Sequence, residues 1–73
     1  MAITTDLEKL RVLLPHWIKH NEEHVAEFRQ WAERVAEASE DITAAAHQME
    51  VVNRSLRAAL EKLGGPMEPR PQG

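Results

Sequence analysis

The sequence predicts an all-α fold: a helical hairpin with a short N-terminal helix, two copies of which pair as a dimeric four-helix bundle. Three observations predict it. The first is an apolar seam at alternating steps of four and three. It runs through Ile3, Leu7, Leu10, Leu14 and Trp17, then Phe28, Trp31, Val35, Ala38, Ile42, Ala45, Met49, Val52, Leu56, Ala59 and Leu63, and only Asn21 and His24 interrupt it. The second is the lack of strand signals, with one Phe, no Tyr, no alternating run and no Gly before Gly64. The third is size. A chain of 73 residues buries only about 60% of the surface its unfolded form exposes. Without cysteine, a metal or a second subunit is the remaining support.

Each element has its own signals. Thr5-Asp6-Leu7-Glu8 fits a capping box, with Thr at the N-cap and Glu three residues on. It starts the short helix, which runs to about Leu13. Pro15 has no N–H to donate and disfavours helical geometry at Leu14, yet it suits the first position of a new helix. A break or sharp kink is therefore expected at Leu14-Pro15, followed by a long helix from Pro15 to about Ala38. Ser39, with Glu40 and Asp41 behind it, reads as the N-cap of a third helix over Glu40–Leu63. Gly64-Gly65-Pro66 stops that helix. The hairpin domain thus covers 1–63, and 64–73 reads as a flexible Pro/Gly-rich tail.

Composition narrows the function. The formal charge is −3, with acids and bases interspersed and no basic stripe, so a nucleic-acid partner is not expected. The start, MAITTDLEKL, has no basic region leading into an apolar run and does not read as a secretory signal. No segment has the length and apolarity of a membrane span, and a cytoplasmic location is expected. No activated Ser arrangement or Gly-rich phosphate loop is present, and the chain is too short to enclose a substrate, so the protein is not expected to be an enzyme.

The two polar seam residues carry the chemistry. A buried Asn at such a position fixes register and oligomer state at some expense of stability, and this is the reading for Asn21. His24 follows His20 by one turn and precedes Glu27 by almost one. His16, His20, His24 and Glu27 form the pattern H-x3-H-x3-H-x2-E. Residues one helical turn apart have Cβ atoms roughly 5–6 Å apart, within reach of a shared ion. His20 and His24 are therefore candidate ligands of a divalent transition metal. Glu27 would serve as third ligand or as orienting carboxylate, and His16 as an alternate ligand. A donor set of imidazole and carboxylate without thiolate suits zinc, nickel, cobalt or copper, and affinity order alone does not choose among them. The competing reading makes these histidines polar packing against Trp17, Glu23 and Glu27. The protein is then an interaction module, either self-associating or docking a helix of another protein. Trp17, Phe28, Trp31 and Met49 read as core, and His47 as a solvated outer residue.

The run LRVLLPHWIKHNEEHVAEFRQWAE, Leu10 to Glu33, resembles a small prokaryotic helical domain with the motif LPHWIxHNxxHAxxFxxWA. That domain resembles the helical segment associated with nickel-accessory proteins of the carbon monoxide dehydrogenase maturation type. The matching positions are Pro15, His16, Trp17, His20, Asn21, His24, Phe28 and Trp31, with Val25 where the motif has a small residue. The resemblance implies metal handling and, among metals, nickel.

Overall fold

The computed structural model describes residues 5–67. It is a helical hairpin of two long helices, α1 over Asp6–Arg34 and α2 over Ser39–Lys62, joined by a 3₁₀ turn at Ala36–Ala38. Thr5 caps α1 as expected. Its hydroxyl accepts from the Glu8 N–H at 3.1 Å, and its own N–H donates to the Glu8 carboxylate at 3.0 Å. The Thr5 backbone N–H, and after it the Thr5 hydroxyl, hold the Glu8 carboxyl below its ordinary pKa. The stabilisation from this cap is therefore present at neutral pH and is lost as pH falls through the lowered value.

The break expected at Pro15 does not occur. A single helix of 29 residues passes through it, so the short N-terminal helix and the long second helix are one element. Proline inside a helix removes one hydrogen bond and crowds the preceding turn, at about 3 kcal/mol. Packing outweighs that penalty. Leu14 and Ile18, 2% and 8% exposed, are four residues apart and reach the same face of α2 only if the helix continues between them. The start of the second long helix also differs from expectation. Ser39 is helical rather than a cap, because the 3₁₀ turn already satisfies the chain there: Ala38 N–H donates to the Val35 carbonyl and Ser39 N–H to that of Ala36. α1 accordingly ends at Arg34, not Ala38.

The far end of α2 follows its sequence signals. Gly64 and Gly65 adopt φ of 99° and 86°, the left-handed region that favours glycine. Gly65 N–H donates to the Leu60 carbonyl at 2.9 Å and Gly64 N–H to that of Glu61 at 3.1 Å, the paired bonds of a Schellman cap. Arg11 of α1 then closes this end, its Nε donating to the Gly65 carbonyl at 2.7 Å. The first tail residues are thus tied to α1. Residues 68–73 of the expected flexible tail, and Ile3 of the seam, lie outside the described residues.

The hairpin does not bury the seam as expected. The contact stripe on α1 is Leu10, Leu14, Ile18, Asn21, Val25, Phe28 and Ala32; on α2 it is Ile42, Ala46, Met49, Asn53, Leu56 and Leu60. The seam and the stripe share Leu10, Leu14, Asn21, Phe28, Ile42, Met49 and Leu56. At alternate positions the next residue in sequence is buried instead: Ile18 for Trp17, Ala32 for Trp31, Ala46 for Ala45 and Asn53 for Val52, while His24 and Val25 are both half-buried. Trp17 and Trp31 are 41% and 50% exposed, so these aromatics are not core within the chain. A strict 3.5-residue seam drifts by about 20° per heptad around an α-helix of 3.6 residues per turn, so it swings off the strip where the two helices touch.

The two edges of the hairpin differ. One is closed by polar contacts from Arg11, by the Arg29–Glu50 ion pair at 2.7 Å, and by the Arg57–Glu22 pair. The other carries Leu13, Trp17, Trp31 and Val35 from α1 and Val52 from α2, all exposed. Arg34 sits over the Trp31 ring at 5.2 Å.

Candidate metal centre

Asn21 and His24, the two polar seam residues, have separate fates. Asn21 turns into the hairpin, where its side-chain amide donates to the Asn53 carbonyl oxygen at 2.9 Å. Asn53, 2% exposed, donates in turn to the main-chain carbonyl of Ile18 at 3.0 Å. This chain of bonds satisfies both amides across the hairpin, and among the described residues no buried side-chain polar atom lacks a partner. The register it fixes is that of α1 against α2. Asn53 was hidden from the seam because it stands one residue past Val52. The available signal was the need of Asn21 for a polar partner on the opposite helix.

His24 turns the other way, to the edge without ion pairs. Its Nε2 lies 3.0 Å from the Nε2 of His20, and the two rings meet edge to face with centroids 4.5 Å apart. Each ring has a carboxylate at its other nitrogen. Glu23 Oε1 is 3.8 Å from His20 Nδ1, and Glu27 Oε1 is 3.7 Å from His24 Nδ1. Both contacts are an i, i+3 relation that α1 imposes. The Phe28 ring stacks on His24 at 5.8 Å and narrows its rotamer choice. His16 stacks on His20, rings near parallel and centroids 6.3 Å apart.

The arrangement has definite chemical capacity. Zinc–imidazole bonds are ~2.0–2.1 Å, so two nitrogens at 3.0 Å would subtend about 90° at a shared ion. That angle is a cis pair in square-planar or octahedral coordination, and tetrahedral geometry needs only a slightly wider pair. Glu23 and Glu27 lie on the Nδ1 side at 3.8 and 3.7 Å, beyond hydrogen-bond distance. Glu27 thus meets His24 at Nδ1 rather than beside the paired Nε2 atoms, and His16 lies against the outer side of His20. Among the described residues no group of three or more His, Cys, Asp or Glu side chains is gathered for one ion. The chain by itself presents a two-histidine site.

No helix among the described residues is long and apolar enough to cross a membrane. Residues 10–63 match the family described as "Domain of unknown function (DUF8180)", and the chain belongs to that family. No curated protein and no solved structure matches.

Proposed function

We propose that this member of the family is a small, non-enzymatic, cytoplasmic metal-binding module. His20 and His24 hold one divalent transition ion, on hairpins that pair into a dimeric four-helix bundle. The observation that carries the reading is the convergence of the two Nε2 atoms at 3.0 Å with a carboxylate beside each Nδ1. Without an ion the same 3.0 Å separation is an imidazole–imidazole hydrogen bond. Glu27 acts on His24 as an orienting carboxylate, Glu23 does the same for His20, and His16 is an alternate ligand. Zinc or nickel suits the donor set, nickel being favoured by the LPHWIxHN resemblance.

Titration of metal-stripped protein with Zn²⁺ and Ni²⁺ tests this. The expected result is binding tighter than about 100 μM, roughly −5.5 kcal/mol, that is lost in the His20→Gln/His24→Gln double variant while helix content stays unchanged. Binding that survives the double replacement places the ion elsewhere. For the bundle, sedimentation equilibrium at micromolar concentration is expected to report a dimer, and a stable monomer removes that part of the reading. A second reading, a helical adaptor for another protein, draws support from the exposed Trp17 and Trp31. It holds if the double histidine variant keeps every measurable property of the wild type.

A further inference from the structure

At the open end of the hairpin one side chain reaches both helix caps. Thr5 and Glu8 close the start of α1, and the left-handed Gly64 and Gly65 close the end of α2. Arg11 stands between them. It follows Glu8 by three residues on α1, a spacing that puts the two side chains on one face. Its charge acts on the Glu8 carboxylate, after the stronger effects of the Thr5 N–H and hydroxyl. Its guanidinium reaches three carbonyls more than 50 residues away in the chain. Nε donates to Gly65 at 2.7 Å, and Nη2 to Gly64 and Pro66 at 3.3 and 3.4 Å.

Each part needs the next. Glycine loses more conformational freedom on folding than any other residue, and here two follow one another. Their cap bonds to Leu60 and Glu61 hold only their nitrogens; Arg11 holds their carbonyls. The rigid fork of a guanidinium meets several acceptors at once only where its own backbone is fixed. Arg11 is in the second turn of α1, whose hydrogen bonds rest on the first, and Thr5 and Glu8 hold that first turn. We infer that these residues form one latch: the capping box of α1, Arg11 and the glycine cap of α2 open and close together, and the closed latch holds the start of the C-terminal tail on α1. Such a latch opens without unfolding the hairpin. Leu10, Leu60 and Leu63 at this end are only half-buried, whereas the buried Leu14, Ile18 and Asn53 lie further in. Opening therefore exposes little apolar area, the condition for a local rather than a global transition.

Hydrogen exchange of the full chain, followed amide by amide by NMR, tests this. Thr5→Ala removes the capping hydroxyl, whose bonds are all to Glu8, and so touches nothing in α2. It is expected to speed exchange at the Gly64 and Gly65 amides by at least about threefold, in keeping with the loss of an N-cap. The Ala46 and Asn53 amides, deep in α2, are expected to keep their wild-type rates. Arg11→Gln is expected to speed Gly64 and Gly65 by itself, and adding Thr5→Ala to it is expected to change them no further. Arg11→Lys, a point charge without the fork, is expected to fall between Arg11→Gln and the wild type. Exchange at Gly64 and Gly65 that ignores either Thr5→Ala or Arg11→Gln makes the caps independent and overturns the latch. Equal acceleration at Ala46 and Asn53 marks a loss of global stability and overturns it as a separate unit. A Thr5→Ala effect of full size in the Arg11→Gln background bypasses Arg11 and overturns its role as the link.

Discussion

Leu14→Ala is expected to destabilise the hairpin by about 3 kcal/mol, the middle of the range for burying a cavity in place of a leucine. Leu14 is 2% exposed, and the only other buried apolar residues among those described are Ile18, Ala32 and Ala46. Two of these are alanines, so Leu14 and Ile18 are the two large apolar side chains buried in the contact, with the half-buried Leu10, Phe28, Ile42, Met49, Leu56 and Leu60 around them. The same leucine precedes Pro15, through which α1 continues. The cavity therefore falls where the helix already lacks a hydrogen bond, and local collapse is opposed by the proline ring. Urea unfolding followed by circular dichroism measures the loss. A change below about 1 kcal/mol, the usual size for surface positions or less, overturns the account of why α1 is continuous.

The second large effect is at the asparagine pair. Asn53→Ala is expected to remove about 2 kcal/mol, because it withdraws the acceptor of the Asn21 amide and the donor to the Ile18 carbonyl together. Asn21→Ala is expected to remove less, since Asn21 is only half-buried and Asn53 keeps its bond to Ile18. Replacing both with leucine is expected to recover most of the stability while broadening the register of α1 against α2. Removing both partners leaves no orphaned amide between them, whereas removing one does. A double-mutant cycle on the same unfolding measurements isolates the coupling. Additive effects of the two alanine replacements mean the Asn21–Asn53 bond contributes nothing of its own.

What remained legible without coordinates was whatever depends on neighbours in sequence. The Thr5–Glu8 cap, the Gly64 stop and the helical class follow from such neighbours, whereas the folding back was expected from Pro15 and Ser39, neither of which makes the turn. The approach of His20, His24 and Glu27 follows from neighbours too, because one helix turn brings those side chains together whatever α2 does. Pro15 was misread because its penalty is local and visible, while the burial of Leu14 and Ile18 that offsets it is contributed by another helix.

The sequence by itself determined that the chain is helical and amphipathic with a polar gap at Asn21 and His24, though it divided α1 at Pro15. Only the tertiary structure decided which way each of those two residues turns. Asn21 and His24 are three residues apart, close enough on a helix to read as one seam. The line of contact with α2 runs between Asn21 and Val25 and leaves His24 to one side. Asn53 across that line takes Asn21 inward, and Val25 fills the place beside it, which leaves His24 on the outer edge with His20. A seam of period 3.5 drifts around a helix of 3.6 residues per turn, whereas the strip that touches α2 keeps to one face. The division of the seam into an inner and an outer half is set by the rotation of α1 against α2, and that rotation is fixed by contacts between residues far apart in the chain.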